Sequence, residues 1–582
     1  MDLGKCQRRK QTAVEMVQFE VILEALGQIG PAQIIICVLW SYYNLIAGFN
    51  SLATVFIAYT PDVRCNVPPL DNSAVYPNLT EVDILNFTTP YDSASDEYNG
   101  CYRYNYDLNT CDGTLSCVNQ SASTVKCDNG YHYDTSIFTE TVVTEFDLIC
   151  GDKYLNTVST SMYYVGFLIG SIVFGNFADA FGRKLCSLLT CIGFLGCMFG
   201  LAFSRSVALY IVLRTAIAAF GYGTTIGTFV YIMEIVGMKW RTFFGMFYQT
   251  FFALGYMIMG GIAYNWRDWH EITFVSTLLG IPFLLIALII PESPRWLFIK
   301  KKDKQGIKVS KLLARINKVE LTDEIWERAK EAEKQISTDT SNATSVKYTS
   351  LDLFKTKATT LVTLNVMFNW LVNSLVYYGV SLNAGALAGD LFVNNTLNGV
   401  MEIASYIICI IFMDRIGRRI LLSASLLVAG LGLLASVIVN VYADDNESLI
   451  TLGVVFSFIG KVGISGSFAI IYNFTSELFP TVLRSNAVGV GSFAARIGGI
   501  VAPYVISLQD YVSWLPNTIF GVFGIAAGVL SLFLPETNGV PMMETPEEAE
   551  EFYKNWKKHK QASELDLSGY ENSTCEEMST KI

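Results

Sequence analysis

Asp179-Ala-Phe-Gly-Arg-Lys184 and Asp414-Arg-Ile-Gly-Arg-Arg419 are one phrase written twice, 235 residues apart. Each stands between two long apolar runs. Two further landmarks recur in the same order. Glu234 and Arg241 stand seven apart at the end of one run, and Glu477 and Arg484 stand seven apart at the end of another, at an offset of 243. Pro291-Glu292 and Pro535-Glu536 close two more runs at an offset of 244. Three markers in one order with nearly one spacing imply two homologous halves in parallel orientation. Membrane carriers are commonly built this way, with the solute site near the midplane between the halves.

The composition fits a chain immersed in lipid. Of 582 residues 52% are hydrophobic and 16% are Asp, Glu, Lys or Arg, against about 25% charged residues in soluble proteins. Disorder, a collagen-like chain and a soluble multidomain enzyme are excluded. One crossing needs roughly 20 apolar residues. Such stretches occur at 31–59, 154–177, 184–203, 207–233, 242–264 and 272–290, and again at 358–380, 391–413, 420–441, 449–474, 485–506 and 518–534. The expected fold is therefore an all-α, twelve-span membrane protein. Its segments are a tail 1–30, a six-helix bundle 31–290, a connecting loop 291–357, a second bundle 358–534 and a tail 535–582. The first run is too long for a cleaved signal core.

Basic residues orient the spans, because Lys and Arg concentrate on the cytosolic side. Arg183, Lys184, Lys239, Arg241, Arg415, Arg418, Arg419 and Arg484 all fall in connections on one side, as does the cluster Lys300, Lys301, Lys302, Lys304 and Lys308. Both termini are then cytosolic, and loop 61–152 faces outward from the plasma membrane. That loop has fifteen acidic residues against Arg64, Arg103 and Lys126. It also holds Cys65, Cys101, Cys111, Cys117, Cys127 and Cys150. Six cysteines in an outward polar segment predict three disulfides, with the pairing left open. Sequons begin at Asn78, Asn86 and Asn119 and predict glycosylation.

The duplicated turns read as gating elements. Gly182 and Gly417 allow tight turns that let Arg183, Arg418 or Arg419 reach nearby helix ends, with Glu234 and Glu477 as ionic partners. Asp179, Arg241, Asp414, Arg415 and Arg484 complete the set. Exposed pairs of this kind are weak enough to break in a switch. Deep in the spans stand Arg214, Glu402, Lys461 and Arg496, and ionisable groups there are functional candidates by default. Glu402 and Arg496 are expected to face the solute path, whereas Arg214 and Lys461 suit structural or gating pairs. Trp370 and Tyr377 share one face of the seventh span, and Tyr248, Gln249 and Phe252 cluster in the fifth. Aromatic faces attract ammonium groups. Asn365, Asn369 and Asn373 form a stripe expected to line a cavity.

The phrase Gly175-Asn-Phe-Ala-Asp-Ala-Phe-Gly-Arg-Lys184 resembles the signature of the major facilitator superfamily. It departs at Ala180, where that signature usually carries Arg, so a weaker latch is expected in the first half than in the second, at Arg415. Other features resemble the organic cation/anion/carnitine transporter family. They are the cysteine-rich glycosylated loop, Thr60-Pro-Asp-Val-Arg-Cys65, Pro291-Glu-Ser-Pro-Arg-Trp-Leu297, Asn473-Phe-Thr-Ser-Glu-Leu-Phe-Pro480 and Leu534-Pro-Glu-Thr537. The resemblance covers nearly the whole chain. It implies alternating access and places Trp370, Tyr377, Gln249 and Phe252 at cavity positions. In that family an Arg at the position of Arg496 accompanies anion and carnitine carriers, and an acid at Glu402 accompanies cation and carnitine carriers. The expected activity is secondary transport of small organic cations or carnitine-like zwitterions. The alternatives are an organic anion carrier of the same fold, and a receptor or sensor that does not transport. The partners are a small charged organic solute and the bilayer, with a co-transported cation left open. Only His132, His270 and His559 are present, and no catalytic or P-loop motif occurs. No enzyme activity, cofactor, metal or nucleic acid is expected.

Overall fold

The computed structural model describes residues 18–556 apart from 69, 72–78, 93–96, 106–121, 330–348, 444–445 and 541–542. Twelve long helices run in order: α1 Pro31–Leu52, α2 Lys153–Phe181, α3 Arg183–Leu201, α4 Val207–Ile235, α5 Arg241–Asn265, α6 Trp269–Ile289, α7 Lys357–Leu382, α8 Leu391–Ile416, α9 Arg418–Val441, α10 Glu447–Leu478, α11 Arg484–Ile506 and α12 Leu515–Ser531. Eleven are long and apolar enough to cross a membrane, and α12 has 17 residues, the lower limit for a span. Helices α4 and α10 run past their expected ends and carry Glu234 and Glu477 inside their last turns.

The packing is duplicated as the sequence is. Helix α1 packs on α4, α5 and α6, α2 on α4, and α3 on α4 and α6. The same pairs recur six helices later: α7 on α10, α11 and α12, α8 on α10, and α9 on α10 and α12. Helix association in lipid depends on close backbone approach at small residues. A Cβ at Gly255 of α5 would meet the Leu45 carbonyl oxygen at 2.0 Å, and one at Gly498 of α11 would meet that of Leu371 at 2.3 Å. These glycines, 243 apart, fix the matching α1–α5 and α7–α11 crossings. The halves meet where α2 packs on α11 and α5 on α8.

The segment between α1 and α2 caps one face, here called the loop face. The opposite one, with the duplicated turns, is the basic face. Disulfides Cys65–Cys127 and Cys101–Cys150 and three short antiparallel strand pairs hold the cap. Cys111, Cys117, Asn78 and Asn119 lie outside the described residues. Asn86 is exposed on the short helix Glu81–Thr88, and its Oδ1 accepts from the Tyr98 hydroxyl. Arg64 is buried against Asp71 (2.6 Å) and Glu81 (2.9 Å), and Arg103 against Asp128 (2.7 Å). On the basic face, helix Asp303–Asn317 ends under α1. There Asn317 accepts from the Ala32 amide (2.8 Å) and donates to Gln33 Oε1 (2.8 Å).

Candidate functional site

Glu402 of α8 and Lys461 of α10 face each other at 3.0 Å with both side chains fully buried. The carboxylate also accepts from the Tyr377 hydroxyl (2.9 Å to each oxygen) and the Tyr406 hydroxyl (2.7 Å). Lys461 donates to Ser381 Oγ (2.7 Å) and lies 3.9 Å from the centre of the Tyr377 ring. A buried ion pair persists when its remaining lone pairs and protons are satisfied, and here they are. The sequence assigned Glu402 and Lys461 to separate tasks; the structure makes them one neutral unit.

Arg496 of α11 is in a different state. It is 5% exposed, and its Nη2 donates to the Tyr222 hydroxyl of α4 at 2.6 Å. The guanidinium lies over Tyr222 (4.4 Å) and Phe167 of α2 (5.5 Å). Its buried Nε has no hydrogen-bond partner, and no carboxylate pairs with it among the described residues. Arg496 is thus a second-half cation at the junction of the halves, held by Tyr222 and Phe167 of the first half together with Tyr378 and Tyr472 of its own. Taken with the Glu402–Lys461 pair, this junction carries one uncompensated positive charge.

A run of rings joins the two charge sites. Trp370 meets Tyr472 (4.3 Å), Tyr472 meets Phe468 (6.0 Å) and Phe468 meets Tyr377 (5.2 Å). Tyr377 meets Tyr378 (5.3 Å), which meets Tyr164 across the junction (4.5 Å). Trp370 is buried and donates to Thr475 Oγ1 at 2.9 Å. Phe468 and Tyr472 escaped the sequence reading, although their four-residue spacing on α10 matches the face that Trp370 and Tyr377 present. Tyr222, Phe167 and Tyr378 had no such signal. Gln249 and Phe252 are half-buried on α5 and make no hydrogen bond or ring contact with these groups among the described residues. Two of the three stripe asparagines, Asn365 and Asn373, tie α7 to neighbouring helices. Asn365 donates to the Leu530 carbonyl (2.8 Å), Asn369 to Asn365 Oδ1 (2.7 Å), and Asn373 accepts from Ser467.

The duplicated turns build matching braces at the basic face. Arg183 pairs with Asp179 (2.9 Å) and Glu234 (2.8 Å), and Arg418 with Asp414 (2.8 Å) and Glu477 (3.0 Å). Each trio lies within one half and joins Arg183 and Arg418 to Glu234 and Glu477, the ionic partners expected from sequence, so in this arrangement the six residues brace each bundle internally. Arg415, at the repeat position of Ala180, is exposed and reaches no carboxylate among the described residues. The first-half brace is the more buried, with the Glu234 side chain 10% exposed against 28% for Glu477. Arg241 Nε donates to the Met233 carbonyl (3.2 Å), and Arg484 Nη2 reaches Thr481 Oγ1 at 3.5 Å. Glu292 and Glu536 add a role not seen in sequence. Glu292 accepts from the Arg183 and Lys184 amides (3.0 and 3.1 Å), and Glu536 from the Arg418 amide (3.0 Å), capping α3 and α9.

At the loop face the halves are sealed together. Phe392 of α8 stacks on Phe56 (5.8 Å), touches Phe138 and Tyr264 (5.9 and 5.5 Å) and lies under Arg267 (4.6 Å). Ser161 donates to the Ile500 carbonyl (3.0 Å), Asn395 to that of Tyr256 (3.1 Å), and Lys153 pairs with Asp510 (2.7 Å). Beside this seal, Glu140, Asp268 and His270 have metal-ligand spacing, with their ligand atoms within 4.8 Å of one another. There His270 Nδ1 faces the Ala202 carbonyl (2.8 Å) and Nε2 faces Glu145 (2.9 Å).

Two matching bundles of membrane-length helices, with buried charge at their junction and a seal at one face, define a polytopic membrane carrier. Residues 99–549 match the family model described as sugar (and other) transporter. The chain is 34% identical over 539 residues to an organic cation transporter protein of Drosophila melanogaster, spanning 92% of this chain and 95% of that one. It is 29% identical to organic cation/carnitine transporter 2 of Homo sapiens, with 91% and 93% covered. The xylose transporter XylE from E. coli, in a partially occluded inward open conformation, superposes with a TM-score of 0.58 at 15% identity, covering 88% of this chain and 99% of that one. The chain belongs to the major facilitator superfamily and, within it, to the organic cation/carnitine transporter family. It is a multi-pass membrane transporter and not an enzyme.

Proposed function

We propose that this chain carries small carnitine-like zwitterions across the plasma membrane by alternating access, with the loop face outside and both termini in the cytosol. The observation that carries this reading is Arg496, a buried cation at the junction with no counter-ion among the described residues, while Glu402 is already neutralised by Lys461. A buried guanidinium is repaid by a carboxylate that it can hold bidentately. The solute's carboxylate binds Arg496, and its ammonium group lies on the aromatic run from Tyr377 to Trp370. Glu402 holds Tyr377 in place by accepting its hydroxyl; Gln249 and Phe252 line the approach. The braces around Arg183 and Arg418, with Arg241, Arg415 and Arg484 beside them, keep each half rigid while the halves rock. Relatives named for organic cations and carnitine support the solute class. The unbalanced charge favours solutes with a carboxylate over simple cations, and it makes an organic anion the second reading.

Uptake into cells expressing the chain tests this with a betaine, a quaternary ammonium compound lacking a carboxylate and a carboxylate lacking an ammonium, each with and without Na⁺. The betaine is expected to enter fastest, and Arg496→Gln to abolish its entry. Equal uptake of the quaternary ammonium compound, unaffected by Arg496→Gln, would overturn the reading. A preference for the carboxylate alone would establish the second one.

A further inference from the structure

We infer that the first half holds a small inorganic anion of chloride size at Arg214, in a site separate from the solute path. Arg214 of α4 is 2% exposed. Its Nη2 donates to Thr54 Oγ1 at 2.6 Å, its Nη1 reaches the Asn50 carbonyl at 3.4 Å, and the Tyr163 ring lies 4.5 Å from its guanidinium carbon. None of these groups is anionic, and no ion pair joins Arg214 among the described residues. A guanidinium keeps its charge inside a protein, and an uncompensated charge within a bundle is costly. The fold therefore leaves a positive charge in place with no carboxylate paired to it among the described residues.

A cavity of about 10 Å³ opens at this group, lined by Arg214, Asn50, Thr273, Ser276, Met198 and Met259 among others. That is the space of one water. The polar lining has little left to offer except to an acceptor. The Asn50 amide already donates to the Ile46 carbonyl (3.1 Å), and the Thr273 hydroxyl to that of Trp269 (2.8 Å). The Ser276 hydroxyl, on a residue 3% exposed, has no hydrogen-bond partner. A guanidinium and an unused hydroxyl donor around a small void ask for an acceptor that carries negative charge. Chloride exceeds water by a few tenths of an ångström in radius, and the unbranched Met198 and Met259 side chains can yield that much on either side. The remaining lining, Ala53, Ile57, Leu201 and Ile272, is apolar, which suits a weakly hydrated halide better than phosphate or sulfate. The site joins α1, α4 and α6 at the loop-face end of the first half, so the bound anion stiffens that half.

The test uses the purified full-length protein at constant ionic strength, with sodium chloride, bromide or gluconate. Chloride and bromide are expected to raise the melting midpoint above that in gluconate. Ser276→Val, which removes the donor and fills the void, is expected to raise the chloride concentration for half the shift by about tenfold, the loss of one hydrogen bond to a charge. A bromide-soaked structure is expected to show one bromide beside Arg214. Equal midpoints in chloride and gluconate, an unchanged titration in Ser276→Val, or a water alone at the site would each overturn the inference. Betaine uptake by Ser276→Val is a separate readout, so failure here is distinguishable from failure of the solute assignment.

Discussion

Glu140 shows how single side chains set conditions for this molecule. Burial, then the neighbouring Glu145 and Asp268 carboxylates, push its carboxyl above the ordinary 4.5, against His270 and Arg205, which pull it down. Between 4.5 and the raised value the folded chain binds more protons than the unfolded one. Stability therefore falls as pH climbs through that window, and the full penalty remains above it. Glu140→Gln is expected to raise the melting midpoint at pH 7.5 by on the order of 1 °C, with the gain vanishing near pH 4. A thermal scan at the two pH values checks it. Legibility at this scale was partial. Arg496, Glu402 and Lys461 stand out in the sequence as charges inside apolar runs. Which of them pair depends on how α8 faces α10, and no local pattern encodes that register.

Elements are punctuated by the duplicated turns. Gly182 and Gly417 have φ of 113° and 98° with ψ of 158° and 157°, a region essentially reserved for glycine that costs other residues roughly 1–3 kcal/mol. A Cβ would also meet the Glu292 carboxylate at 2.2 Å and that of Glu536 at 2.6 Å. Gly182→Ala therefore strains the turn and displaces the α3 cap together. A loss of about 2–4 kcal/mol is expected from the sum of strain and cap, read as a lowered midpoint in detergent. Glu292→Gln keeps the shape but weakens acceptance at a helix N-terminus, where negative charge is favoured, and about 1 kcal/mol is expected to be lost. A larger effect from Glu292→Gln than from Gly182→Ala would contradict this account. The Pro-Glu pairs were visible in sequence only as repeated markers. Their partners, the Arg183 and Arg418 amides, lie more than 100 residues away, so the capping role appears only once the sixth helix of each half returns to the third.

For the whole molecule, length and hydropathy were enough to place all twelve helices, and the repeat was enough to foresee the paired halves, because each span is a local apolar pattern. The closed loop face was not legible. It is built from contacts such as Phe392 on Phe56 and Ser161 on Ile500, between residues that share no periodicity and meet only in one arrangement of the halves. Phe392 is the centre of that seal: half-buried on α8, it touches Phe56, Phe138, Tyr264 and Arg267, all of the first half. Rocking the halves apart at this face must break every one of those contacts. The exposed Lys153–Asp510 pair offers little resistance by comparison. Truncating a fully buried Phe costs roughly 3–5 kcal/mol, so a half-buried one costs about 2 kcal/mol. In Phe392→Ala that loss falls on the sealed state alone. The ratio of sealed to parted molecules is then expected to drop roughly thirtyfold. Ser161→Cys, at the α2–α11 contact of the seal itself, reports the change through its reactivity with a membrane-impermeant thiol reagent applied at the loop face. Each added substitution is compared with Ser161→Cys alone. The added Phe392→Ala substitution is expected to speed that labelling, and Lys153→Ala to leave it nearly unchanged. If the order were reversed, the ion pair and not the aromatic plug would be what holds the halves together.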